Sequence, residues 1–231
     1  MILIHIFALS GSILFLLCFR GMSCKVGPIS GRLPAAVFFA ALGVRLFCAA
    51  LSMGFGNDTA CFAGWADRIF LLGPGGFYSP EAFTDYPPGY LYVLWPLGAV
   101  RNLLGIEMYS MAHLVLLKLP SILCDLACGR LLYREASRKC TQMQALFLCA
   151  AYLFNPPVIL NSSVWGQVDS VFTLAAVILC LSLVRGKMYP AYIAFGTGVL
   201  IKPQMLLFSP VLLAGLLDHI LPKREAASSG A

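Results

Sequence analysis

The chain has 231 residues, of which 60% are hydrophobic and 11% charged, and its mean hydropathy is +0.85. That leaves too few polar side chains to cover a water-soluble surface, so a soluble domain is excluded and lipid must be the solvent. The net charge of +6 sits in short basic clusters between apolar runs, with no single patch interleaved with aromatics, which argues against nucleic acid as a partner and reads as a topology signal.

In chain order, the apolar runs fall at about 1–19, 34–54, 112–133, 142–160, 170–184 and 188–221, the last broken at Lys202-Pro203. A span needs roughly 20 residues. The first run has no basic residue ahead of it and no small-residue cleavage site after it, so it reads as a retained span and not as a signal peptide. Placing Arg20/Lys25/Arg32, Arg134/Arg138/Lys139, Arg185/Lys187 and Lys223/Arg224 on one face requires six or seven spans. By the positive-inside rule that face is cytoplasmic, and 55–111 and 161–169 are exoplasmic. The predicted fold is therefore all-α: a polytopic transmembrane helical bundle forming one module over 1–221, with a polar cytoplasmic tail at 222–231.

Two further helices are expected inside the 55–111 loop. Residues 59–72 carry Phe62, Trp65, Ile69 and Phe70 on one side and Asp67 and Arg68 on the other, the spacing of an amphipathic surface helix. Residues 88–105 are rich in Tyr and Trp and lie at the exoplasmic interface, because a crossing there would move the Arg134 cluster outside. The nine cysteines contain no Cys-x-x-Cys and read as small packing residues, with no metal site.

Three constellations carry chemistry. The corner Asp85-Tyr86-Pro87-Pro88-Gly89 is rigid, starts a helix and adds a second carboxylate to the loop that holds Asp58. Asp85 is equally placed to cap the helix at Pro88, and Asp58 the one near Thr59. After Asn155-Pro156-Pro157 comes Trp165-Gly-Gln167-Val-Asp169, with an aromatic face, an amide and a carboxylate of the kind that bind sugars. Trp165 also suits an aromatic belt, and Asp169 a cap. Asn161-Ser-Ser163 matches the glycosylation pattern, a weak signal. Third, Lys202 precedes Pro203 and Gln204 inside an apolar stretch, where an ammonium needs water, headgroups or an anion.

In this order and spacing, from about Arg45 to about Pro210, the chain resembles the GT-C class of integral-membrane glycosyltransferases. The motifs are Asp58 with Phe62 and Trp65, Gly76-Phe77-Tyr78, Asp85-Tyr-Pro-Pro-Gly-Tyr, the Lys118/Asp125 pair, Asn155-Pro-Pro, Trp165-Gly-Gln-Val-Asp169 and Lys202-Pro-Gln. Within the class it is most similar to the bacterial branch that resembles the GPI mannosyltransferase adding the second mannose. The resemblance implies transfer of a mannose-like hexose from a polyprenyl-phosphate donor to an acceptor hydroxyl, with inversion and no cofactor, on the exoplasmic side of a bacterial cytoplasmic membrane.

By position in the family pattern, Asp58 is the expected general base and Asp85 the second acidic residue of the site. Lys202, Lys118, Arg68 and His113 are candidates for the donor phosphate, which needs a cation as negative charge develops. Trp65, Tyr86, Trp165, Gln167, Asp169 and Gln204 are candidates for substrate contacts. The chain looks shortened at its carboxy-terminal half relative to the class, so a second polypeptide completing it is an expected partner. A flippase of lipid-linked sugars or a non-catalytic subunit are the alternative readings. The topology has a direct test: a cysteine placed at Glu107, with Cys61 removed, should label from the exoplasmic side, and labelling only from the cytoplasmic side would overturn the map.

Overall fold

Proline, glycine and small hydroxyl residues set most of the helix ends. The structure is a computed structural model describing residues 30–80 and 82–220. The expected first span at 1–19 and the tail at 222–231 lie outside the described residues. Helix α1 runs Arg32–Leu51 and α2 Gly56–Gly76, with a break at Gly73 ahead of Pro74. Helix α3, Pro88–Leu103, opens on a proline, whose missing N–H no helical acceptor requires there. Helix α4, Met111–Ala136, is capped by the Ser110 hydroxyl, which accepts the His113 amide. Helix α5, Gln142–Leu153, begins with a Thr141/Gln144 capping box.

The next segment is irregular. Helix α6 is one turn, Pro156–Ile159, continuing as a π-helix over Leu160–Trp165 and ended by Gly166 at φ 88°. Short π segments widen the backbone and are often found at functional sites. Helices α7, Asp169–Val184, and α8, Met188–Ile201, then form a hairpin. A 3₁₀ turn at Pro203–Phe208 leads into α9, Ser209–Ile220. Among the described residues every element is helical.

Helices α2 and α3 pack side by side in the same direction, since Phe62 meets Tyr90 near their starts and Asp67 meets Arg101 further along, with Phe62, Trp65 and Ile69 in one core with Tyr90, Leu91 and Leu94. Each such side chain contributes about 2 kcal/mol on burial. This is the apolar face expected of 59–72. Helices α1 and α4 run antiparallel, a register fixed by polar contacts at two levels. The Lys118 ammonium reaches the carbonyls of Ala49 and Ser52, the Arg45 guanidinium pairs with Asp125 at 3.2 Å, and Val37, Phe38 and Tyr133 pack on a shared core of Ala41, Cys149 and Leu153. The Lys118/Asp125 pair of the sequence motif is thus divided between two different partners, because the two residues lie about two turns apart on α4 and α1 supplies a nearer group to each.

Three helical stretches are long and apolar enough to cross a bilayer: α1, α4 and the run Pro203–Ile220. A fourth results if Gln142–Leu153 and Pro156–Trp165, bent by 49°, form one span. Helices α7 and α8 are apolar but have 16 and 14 residues. Among the described residues, length alone therefore does not reach the six or seven spans expected. The charge asymmetry has a structural counterpart: Glu135 binds Arg138 at 3.0 Å and also Arg185, which draws the second and third basic clusters to one end of the bundle.

Arg45 and Asp125 are fully buried, with Tyr152 donating to the second Asp125 oxygen at 3.4 Å and the Ala41 carbonyl accepting from Arg45 at 3.3 Å. Removing one partner of such a pair leaves an uncompensated charge. Arg45→Met should therefore destabilise the fold by about 3–5 kcal/mol, while Arg45→Met with Asp125→Leu should recover most of that loss. Reversible unfolding in mixed micelles would measure both.

Candidate active site

Three chain breaks converge on one cavity of about 540 Å³, within the roughly 300–1,000 Å³ of small-ligand pockets. The turn from α1 into α2 brings Asp58, the corner before α3 brings Asp85 and Tyr86, and the break after α8 brings Lys202 and Gln204. Gln167, from the loop after the π-helix, completes the polar lining. The carboxylates, the amide and the ammonium thus surround one space although 144 positions separate Asp58 from Lys202.

Asp58 does not cap its helix. Phe55 occupies the N-cap position of α2 and Asp58 lies in the first turn, where its Oδ2 accepts the Trp165 indole N–H at 2.8 Å and the Gln167 amide. Both donors address the same oxygen, so Oδ1 takes neither. Asp85 is not a cap either: Pro87 stands at the N-cap of α3, and the exposed Asp85 carboxylate has no hydrogen-bond partner among the described residues. The N-cap of α7 is Val168. Asp169 instead binds the Lys202 ammonium and accepts the Asn161 amide at 3.0 Å.

Two glycines allow these pieces to meet. Gly54 has φ +77°, and a Cβ there would lie 2.3 Å from the Trp165 carbonyl, so the turn carrying Asp58 can approach the π-helix only without a side chain. The Ser52 hydroxyl fastens the same turn to the Val164 carbonyl at 2.9 Å. At Gly89 a Cβ would meet the Leu200 carbonyl at 2.5 Å. This glycine lets the proline corner lie against the end of α8, two residues before Lys202.

Tyr86 lines the cavity from an aromatic wall, edge-on to Phe62 at 5.6 Å and tilted on Trp65 at 5.5 Å. Burial, and then the carboxylates of Asp169, Asp58 and Asp85, push its phenol up to about 12, so near neutral pH it remains a protonated donor. The Cys61 thiol is pushed up by burial and then by Asp85 and Asp58.

Several residues expected at the site serve elsewhere. Trp65 is buried, with its indole N–H on the Phe83 carbonyl at 3.0 Å, so it supports the corner and does not face a ligand. Trp165 is outside the polar cavity: its N–H holds Asp58 and its ring packs on Phe55 at 5.6 Å. Arg68 clamps the return loop through the Phe77 carbonyl at 2.8 Å and Ser79. His113 is buried and accepts the Tyr109 amide on Nδ1 at 2.9 Å. Lys118, 2% exposed, collects the Ala49 and Ser52 carbonyls at the end of α1, which a helix leaves without partners.

Other groups escaped the sequence reading. Asn161 orients Asp169, and the Ser121 hydroxyl holds the Gln167 carbonyl at 2.6 Å. The glycosylation-like pattern at Asn161 was the only local mark on either residue, and it points to different chemistry.

The profile of glycosyltransferase family 87 matches residues 83–219, more than half of the chain. The chain belongs to glycosyltransferase family 87. It is thus a membrane glycosyltransferase of the GT-C type, as the wider resemblance implied, whereas the finer likeness to the second-mannose GPI branch draws no support from the match. The matched segment of this family 87 protein includes Asp85, Tyr86, Gln167, Asp169, Lys202 and Gln204, while Asp58 lies ahead of it. No curated protein and no solved structure matches the chain.

The two lysines at apolar positions should separate by experiment. Lys118→Met strands the carbonyls at the end of α1 and should lower stability by about 3 kcal/mol, with little change in donor KM for the protein that folds. Unfolding in micelles alongside donor saturation curves would distinguish this from a phosphate-binding role.

Proposed function

We propose that this glycosyltransferase moves a mannose-like hexose from a polyprenyl-phosphate carrier to an acceptor hydroxyl, with inversion at the anomeric carbon, on the exoplasmic face. The observation that carries the proposal is the cavity itself, where Asp58, Asp85 and Lys202 surround one space in a chain of this family. The end of the bundle away from Arg138 and Arg185 holds it, which supports the exoplasmic assignment.

In this reaction the acceptor oxygen attacks the anomeric carbon and passes its proton to Asp58. The bond from that carbon to the phosphate oxygen breaks, and the electron pair leaves with the polyprenyl phosphate. Asp58 suits the base role because Trp165 and Gln167 fix its Oδ2 and leave Oδ1 to accept the proton. Lys202 suits the phosphate: an ammonium has three N–H groups, so it can keep Asp169 while facing a second anion across the cavity. Tyr86, Gln167 and Gln204 supply hydrogen bonds for sugar hydroxyls, and Asp85 shapes the acceptor side. A second polypeptide, if one takes part, contributes acceptor and lipid contacts beyond this cavity.

The single displacement makes two variants behave differently. Asp58→Asn should lower kcat by roughly 10²-fold or more with little change in donor affinity, because the amide keeps the shape and cannot take the proton. Lys202→Met should weaken donor binding and turnover together, since the phosphate is charged in both ground and transition states. Transfer from polyprenyl-phosphate sugars in liposomes reads both. Near-normal turnover of Asp58→Asn would move the base to Asp85, and absence of transfer by the unaltered chain would favour a flippase or a non-catalytic subunit.

A further inference from the structure

At the opposite end of the bundle a second cavity of about 790 Å³ opens between α4 and α7. Arg130, Arg134 and Arg138 line it from successive turns of α4 and its end, with Leu174 and Ile178 of α7 forming the apolar side. Like charges four residues apart on a helix repel. Among the described residues, Arg138 alone of the three is compensated, by Glu135, which also serves Arg185. Arg130 and Arg134 are exposed and have no hydrogen-bond or ion-pair partner among the described residues. The Ser137 hydroxyl, which belongs to the same lining, is buried without a partner. A site with two uncompensated guanidiniums and a spare hydroxyl is short of an anion with several acceptor oxygens.

The apolar side continues beyond the arginines. Leu174 and Ile178 also bound an apolar groove of about 390 Å³ between α7 and α8, which extends toward Val171 and Ile201. A phosphate alone would use the arginines and leave this groove empty.

We propose that the cavity binds an anionic membrane phospholipid, its phosphate on Arg130, Arg134 and Ser137 and its hydrocarbon chain along Leu174, Ile178 and the α7–α8 groove. This site is separate from the carboxylate cavity and does not depend on the sugar-transfer assignment. It places a lipid chain against α7 and α8, the two shorter apolar helices.

The test uses the full chain in detergent micelles, with lipid binding followed by native mass spectrometry and by displacement of a fluorescent phosphatidylglycerol. Phosphatidylglycerol should bind in preference to phosphatidylcholine. Arg130→Gln with Arg134→Gln should weaken phosphatidylglycerol about 30-fold, at roughly 1 kcal/mol per arginine. Lys139→Gln, in the same basic cluster but outside the cavity, should change it little. Three results would overturn the proposal: equal binding of phosphatidylcholine, an equal loss in Lys139→Gln, which would mean diffuse surface charge, or displacement of the lipid by inorganic phosphate at matched concentration, which would mean a phosphate site without lipid. If the double variant unfolds, the exposed Arg130→Gln alone carries the comparison, with an expected loss of about 5-fold.

Discussion

An ammonium at the end of an apolar helix must find an anion or water, and the pairing of Lys202 with Asp169 satisfies that need while fixing much of the cavity around it. Pro203 supplies no N–H, so helix α8 stops and the chain extends at Lys202. Asp169 can meet it there because Gly166 closes the π-helix in a left-handed conformation and α7 begins three residues later. Gln167 lies between these two events, which puts its amide on Asp58. One ion pair therefore links the break after α8, the start of α7 and the turn into α2.

The charged groups inside the bundle divide by how fully they are committed. Arg45 with Asp125, and Lys118 with the end of α1, are buried and occupied by protein partners. They set helix register, and in a low-dielectric interior they cannot be released to a substrate without stranding a charge. Asp85 and one oxygen of Asp58 are different: they face a cavity and lack hydrogen-bond partners among the described residues. A base must have a free lone pair, a condition that the second kind meets and the first does not. The aromatic wall of Phe62, Trp65 and Tyr90 behind Tyr86 provides the rigidity that such a partly satisfied site requires.

The two ends of the bundle are built in opposite senses. Carboxylates and amides gather where the starts of α2, α3 and α7 meet the end of α8, and guanidiniums gather where α4 turns into α5 and α7 into α8. That polarity matches a protein held across a bilayer in one orientation, since translocating the arginine-rich end is the costlier alternative.

Much of this could be read from the residues in order. Composition alone determined the solvent, because 60% hydrophobic residues cannot be kept in water. Pro88 and Pro203 marked helix boundaries, since their rings restrict the backbone locally and remove donors. Asp58, Asp85 and Lys202 stood out because ionisable side chains are rare in so apolar a chain. These are short-range or compositional facts. Which charges meet is a long-range one: Lys118 and Lys202 look alike in sequence, each an ammonium in an apolar run, and only the packing of α1 against α4 gives one to backbone carbonyls while the break after α8 leaves the other at the cavity. Trp165 likewise reads as a sugar platform or a belt residue until the turn at Gly54 brings Asp58, 107 positions away, onto its indole nitrogen. Tertiary structure decided those roles because hydrogen-bond partners are selected by contact, and local periodicity carries no information about contacts made a hundred residues apart.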